Sequence, residues 1–289
     1  MAYLKENSYG KQRVRLTKVD KEGEEHTLHE YTVEVMLYGS FEEVYTVGDN
    51  SPCVPTDTMK NTVYVVARNS TFGSPEEYAV LLADHFVSTY PQIKGTVISV
   101  TAPRWRRIKI DGKPHRHAYV KGNGHRTVRV SLGNVPEEDG APFTKPKVKS
   151  GLSGLEVFKS GGSAFSGFNQ DQYTTLPETE DRILATTIDA GWLYTEEKSR
   201  DYDAVADSVE TAILEVFATH QSPSLQATLY VMGESVLAAE NDISEISFTM
   251  PNQHHIRFDL SPFGLENPNQ IFYGTDSPYG IITGTVARG

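Results

Sequence analysis

Strict alternation of apolar and polar side chains recurs along this chain, and a backbone satisfies that pattern only as strands that bury one face. Val33, Val35 and Leu37 alternate with Thr32, Glu34 and Met36; Val128, Val130 and Leu132 alternate with Thr127, Arg129 and Ser131. The pattern returns late. Ile246, Phe248 and Met250 oppose Ser247 and Thr249, and Ile256, Phe258 and Leu260 oppose Arg257 and Asp259 across the break at Pro251-Asn252. The last pair predicts a hairpin.

Helical spacing separates these strands. Tyr78, Leu81, Leu82 and Phe86 share one face, as do Val205, Val209, Ile213, Val216 and Phe217. A preceding helix is predicted to start at Thr56 or Asp57 and run through Met59, Val63 and Val66. Ser222-Pro223 offers an N-cap and a first-turn proline for a helix from Leu225 to Ala239. The order is two strands, two helices, two strands, then the same again after a polar stretch from Gly133 to Lys149. An α+β architecture follows, with antiparallel sheets carrying helices on one face, in two domains spanning 1–140 and 141–289. Open strand edges invite oligomerisation.

Composition narrows the function classes. The one cysteine, Cys53, excludes an internal disulfide framework and any cysteine-rich metal site, so a reducing compartment is expected. No apolar run approaches the length of a membrane helix, and the charged start Met1-Ala2-Tyr3-Leu4-Lys5-Glu6 lacks a leader's apolar core. A formal charge of −11 argues against a nucleic-acid partner. The basic run Arg104, Arg106, Arg107, Lys109 and Lys113 is therefore expected to serve ion pairs or a lining surface. Ser160-Gly161-Gly162-Ser163 is a turn rather than a phosphate cradle, since no Lys-Ser/Thr follows it.

Seven stretches carry a family resemblance: Tyr9-Gly10-Lys11, Thr56 to Thr62, Asp111-Gly112-Lys113-Pro114-His115, Leu152-Ser153-Gly154-Leu155, Phe165-Ser166-Gly167-Phe168 with Asp171 to Leu176, Leu225-Gln226-Ala227-Thr228, and Pro251-Asn252-Gln253-His254. In this order and spacing the chain resembles urate oxidase. The resemblance implies a subunit of two tandem tunnelling-fold (T-fold) domains and a homotetramer built around a tunnel, with active sites at subunit interfaces. It implies no cofactor and no metal, with urate, dioxygen and water as the reaction partners.

Urate is planar, electron-rich and anionic, so its site needs an apolar face and in-plane hydrogen bonds at the rim. The resemblance places Phe165 under the ring, Arg182 as a fork on one edge and Gln226 on the opposite edge. Leu225 is implied to offer a backbone N–H at a helix start, where partial positive charge favours an anion. Ile282 is implied to line the pocket. Lys11, Thr56 and His254 are the implied proton relay, with Thr56 and Asp57 supplied by a neighbouring subunit. Asn252 is implied to hold dioxygen and then water above the ring, giving 5-hydroxyisourate and hydrogen peroxide. Ser166 stands where relatives often carry an aromatic side chain, and Gln253 and His255 flank His254 where relatives often carry a basic and an aromatic one.

Two other readings compete. Another T-fold enzyme acting on a pterin or purine would need a zinc set or a cysteine nucleophile, for which Cys53 is the sole candidate. A non-catalytic purine-binding tetramer would not need Lys11, Thr56 and His254 together. The histidines His115, His117, His254 and His255 raise the possibility of copper or iron, but His-x-His on a strand is more commonly polar lining. The C-terminal Val286-Ala287-Arg288-Gly289 is not a Ser-Lys-Leu peroxisomal address, so a bacterial cytoplasmic enzyme is expected.

Overall fold

The computed structural model describes residues 2–136, 142–196, 198–275 and 277–289. Its chain divides into two compact units: Met1–Gly151 with Tyr194–Asp203, and Leu152–Leu193 with Ala204–Gly289. The expected boundary at 140/141 lies outside the described residues.

The first unit opens with β1 (Tyr9–Asp20) and β2 (Thr27–Gly39), paired antiparallel. The alternation of β2 puts Val33, Val35 and Leu37 fully inside. A short α1 (Glu42–Thr46), which no apolar periodicity announces, leads to α2 (Thr56–Asn69) and α3 (Pro75–Thr89). Helix α3 starts where Ser74 Oγ accepts from Glu77 N and the Glu77 carboxylate accepts from Gly73 N, with Pro75 in the first turn. Its face of Tyr78, Leu82 and Phe86 is buried against β3 (Ile93–Ile110) and β4 (Lys113–Gly133). Strand order here is β1-β2-β3-β4-β5, and the first three pairs are antiparallel.

Strand β5 (Phe143–Lys159) passes from the first unit to the second between Gly151 and Leu152. The predicted polar connection from Gly133 to Lys149 is thus shorter than expected. Its second half is strand, because backbone pairing rather than side-chain polarity decides an exposed segment. The second unit continues with β6 (Leu184–Tyr194), α4 (Tyr202–Thr219) and α5 (Leu225–Ala239). The cap of α5 is Ser224, whose Oγ accepts from Ala227 N, and not Ser222; Pro223 sits ahead of the helix.

The predicted late hairpin does not form. Strand β7 (Ile243–Asn252) pairs with β10 (Gly280–Ala287), while β8 (His255–Arg257) pairs with β9 (Phe272–Gly274) in a separate two-stranded sheet. Ile246, Phe248 and Met250 are core residues, but Ile256 and Phe258 are exposed. Alternation predicted strands on both sides of Pro251 and could not choose their partners. Strand order in this unit is β5-β6-β7-β10, with α5 packed on β7 and β10. Gly233 permits that approach, since a Cβ there would stand 2.4 Å from Val286 Cγ2. Among the described residues, no helix is long and apolar enough to cross a membrane.

The buried polar chemistry of the first unit centres on Glu76. Its Oε1 accepts from Arg126 Nη2 at 2.6 Å and from Ser150 Oγ at 2.7 Å, and Tyr194 OH donates to Ser150 Oγ at 2.8 Å. Glu76 is fully buried, so its charge depends on the guanidinium. Arg126→Met is expected to cost about 3–5 kcal/mol by leaving that carboxylate unpaired. Glu76→Leu combined with Arg126→Met should recover most of the loss, as read by urea unfolding.

Candidate active site

The second unit assembles most of the predicted site through its backbone. Gly162, Ser163 and Ala164 run beside Ser222: Ser222 N donates to Gly162 O at 3.0 Å, and Ala164 N donates to Ser222 O at 2.7 Å. Phe165 then pairs with Thr179 in both directions, at 2.8 and 3.0 Å, and Arg182 N donates to Ser163 O at 2.8 Å. Three backbone ties therefore gather the Phe165 turn, the strand entry at Arg182 and the start of α5. Asp181, the acid beside Arg182, caps the Gly162 amide at 2.9 Å and makes no ion pair with its neighbour.

Arg182 instead lies against an aromatic face, its guanidinium carbon 5.1 Å from the Phe165 ring centroid. Phe168 stacks on the same ring, centroids 4.9 Å apart and planes within 16°. The residue three positions on thus supplies the aromatic contact that Ser166, exposed, does not. Burial pulls the Arg182 guanidinium below its ordinary pKa, and its Nε is buried with no hydrogen-bond partner among the described residues. A half-buried guanidinium with an unsatisfied N–H is costly unless an acceptor comes to it.

Leu225 is buried, so its contribution is confined to its backbone. As the first residue of α5 its N–H lacks an intrahelical acceptor, while Ala227 N and Thr228 N are taken by Ser224 Oγ and Ser224 O. Gln226 beside it is exposed.

Asn252 ends β7 opposite Gly280, and Ile282, half-buried, lies opposite Met250 on β10. Gln253 pins the exit from β7: its N donates to Ala185 O and its Nε2 to Thr187 Oγ1, both at 2.9 Å. His254 follows directly, its carbonyl accepting from Thr275 N. His255 packs edge-on against Phe158 at 5.2 Å.

Lys11, Thr56 and Asp57 belong to the first unit. Lys11 pairs with Val35 just before a bulge in β1, and Thr56 is the first residue of α2. Tyr9 ties the two segments, its hydroxyl accepting from Val54 N at 2.7 Å while its ring meets Phe41 edge-on at 4.8 Å. Tyr9 was legible only as part of the Tyr9-Gly10-Lys11 stretch. The Asp57 carboxylate is held below its ordinary pKa, first by the hydrogen bond and charge of Lys60; Asn61 and the Lys11 charge add to the effect.

His115 and His117 are engaged in local hydrogen bonds. His115 Nδ1 accepts from the amides of His117 and Ala118 at 3.1 Å each, and among the described residues no cluster of His, Cys, Asp or Glu is placed to hold a metal ion. Arg107, from the basic run, donates to the carbonyls of His26, His115 and Arg116 rather than to carboxylates.

The uricase family profile matches residues 7–131 and 148–283. The chain belongs to the uricase family. Uricase of Arthrobacter globiformis is 40% identical over 285 residues, covering 99% of this chain and 90% of that relative. Uricase of Dictyostelium discoideum is 37% identical over 291 residues, covering 100% of this chain and 98% of the relative. The crystal structure of the Arthrobacter uricase superposes with a TM-score of 0.91 over 100% of this chain and 96% of that one. A uricase from Bacillus fastidious, 23% identical, shares the fold at a TM-score of 0.83, covering 97% of this chain and 93% of its own. The α+β fold is thus the tandem T-fold of the uricases.

Tyr9→Phe removes the acceptor of the Val54 amide ahead of Thr56. The expected loss is about 1 kcal/mol in urea unfolding, with faster hydrogen exchange at Val54. An unchanged exchange rate there would sever Tyr9 from the Thr56 segment.

Proposed function

We propose that this chain oxidises urate with dioxygen and water to 5-hydroxyisourate and hydrogen peroxide, without metal or organic cofactor. The observation that carries the reading is the Phe165–Arg182 pair in a chain of the uricase family: an aromatic face beside a guanidinium whose buried Nε has no acceptor among the described residues. A flat purine anion fits both, stacking on the ring and presenting in-plane oxygen and nitrogen to the guanidinium. Gln226 pairs donor and acceptor along the far edge, the Leu225 N–H adds a helix-start dipole, and Ile282 closes the wall.

The substrate binds as an anion and must lose one more proton before it gives up electrons. Lys11 takes that proton through Thr56, whose hydroxyl passes it on without bearing charge, and His254 completes the relay. The relay and Arg182 favour the more negative substrate form electrostatically. Thr56 and Asp57 come from a neighbouring subunit of a homotetramer, which makes an isolated subunit inactive. Asn252 holds dioxygen above the ring. The urate dianion passes electrons singly to dioxygen, which evades the spin barrier to a direct two-electron step. A C5 peroxide forms, leaves as hydrogen peroxide, and is replaced at C5 by hydroxide from water. Purine breakdown in the cytoplasm is the setting, and the one cysteine suits a reducing compartment.

The test follows urate absorbance and peroxide release in air with a strong chelator present. Turnover should be unaffected by the chelator. Lys11→Met and Thr56→Ala should bind urate but turn it over roughly a hundredfold more slowly, the usual scale for removing a general base. Arg182→Lys, which keeps charge but loses the fork, should raise KM roughly tenfold. Normal rates in both relay variants would overturn the mechanism.

A further inference from the structure

Behind the start of α5 lies a chain of side-chain hydrogen bonds whose direction is settled by counting protons. Ser222 Oγ donates to Ser224 O at 3.0 Å, which uses its only proton. Thr228 Oγ1 donates to Ser222 Oγ at 2.8 Å, with a longer approach to Ser224 O at 3.3 Å, and either use consumes its only proton. His220 Nδ1 lies 3.1 Å from Thr228 Oγ1, which is left able only to accept. His220 therefore donates from Nδ1. Thr228 and Ser222 are almost completely buried, and His220 is fixed by its own carbonyl, which accepts from Lys159 Nζ at 2.6 Å.

The relay runs His220 to Thr228 to Ser222 and ends on the carbonyl of Ser224. That carbonyl shares a peptide group with the N–H of Leu225. Hydrogen bonds accepted at C=O polarise the peptide and strengthen its N–H as a donor, and here Ser222 Oγ and Thr228 N both bond that oxygen. The same bonds fix the plane of the peptide. We propose that His220, Thr228 and Ser222 are positioning residues that orient and polarise the Ser224–Leu225 amide toward the anionic edge of the substrate. This rests on the reading of the site as a urate site. None of the three need touch substrate; in sequence Ser222 reads as a helix cap and Thr228 only as part of the Leu225–Thr228 stretch.

The experiment compares anaerobic urate binding and steady-state kinetics in the intact protein. Thr228→Val preserves shape and removes the hydroxyl; Ser222→Ala removes the middle link. Each is expected to weaken urate Kd and raise KM about tenfold while kcat moves about twofold or less, the signature of lost uniform binding. Thr228→Ser restores the hydroxyl and should restore Kd. In 15N spectra of labelled histidine, His220 should carry a proton on Nδ1 in the wild-type protein. A neutral His220 protonated only at Nε2, or a properly folded Thr228→Val with wild-type Kd, overturns the proposal. Equal Kd loss in Thr228→Ser and Thr228→Val also overturns it, because bulk rather than the hydroxyl would then be at work. A wild-type chain that takes up no urate refutes the ligand itself, while the His220 tautomer still decides the direction of the relay.

Discussion

The second unit's site depends on a few backbone hydrogen bonds that lay Gly162–Ala164 alongside Ser222. Phe165 and Arg182 are distant from Leu225 and Gln226 in the chain, and Ser163 brings the first two to the segment that starts α5. Backbone bonds suit this role because they admit little of the rotamer freedom that a side-chain contact must overcome. Ser163 and Ser222 are both buried, so water does not compete for the bridge. The aromatic face, the guanidinium and the helix start are therefore held by one piece of main chain, which is what the proposed site for a flat anion requires.

The first unit has a different economy. Its strongest polar feature, Glu76 with Arg126, is buried in the fold and belongs to stability, whereas Lys11, Thr56 and Asp57 sit at its surface where β1 bulges and α2 begins. A bulge and a helix start both leave backbone and side-chain groups turned outward. Such groups suit a surface completed by another chain.

The elements were legible where local periodicity was strong. Strand β2 and the faces of α2 and α3 follow directly from apolar spacing, because burial of one face is a local property of each segment. The site residues were proposed from the order and spacing that carry the family resemblance. The errors came where a partner had to be chosen: β7 pairs with the distant β10 rather than with the neighbouring β8, and α5 is capped by Ser224 although Ser222 is an equally good capping residue. Ser222 was read as a cap and is instead a bridge, its backbone pairing with Gly162 and Ala164 and its hydroxyl facing Ser224 O.

By itself the sequence determined which strongly periodic segments are strands or helices, the chemistry available to the site, and the family, since these depend on side-chain type and spacing along the chain. Only the tertiary structure decided which strand β7 joins, that Phe168 rather than residue 166 backs the Phe165 ring, that Arg182 faces an aromatic ring rather than its neighbouring acid, and that His220 Nδ1 meets Thr228 Oγ1. The physical reason is that hydrogen bonds and ring contacts have direction and short range. Residues far apart in the chain acquire them only when the fold fixes their backbones, and no pattern of residue types carries that geometry.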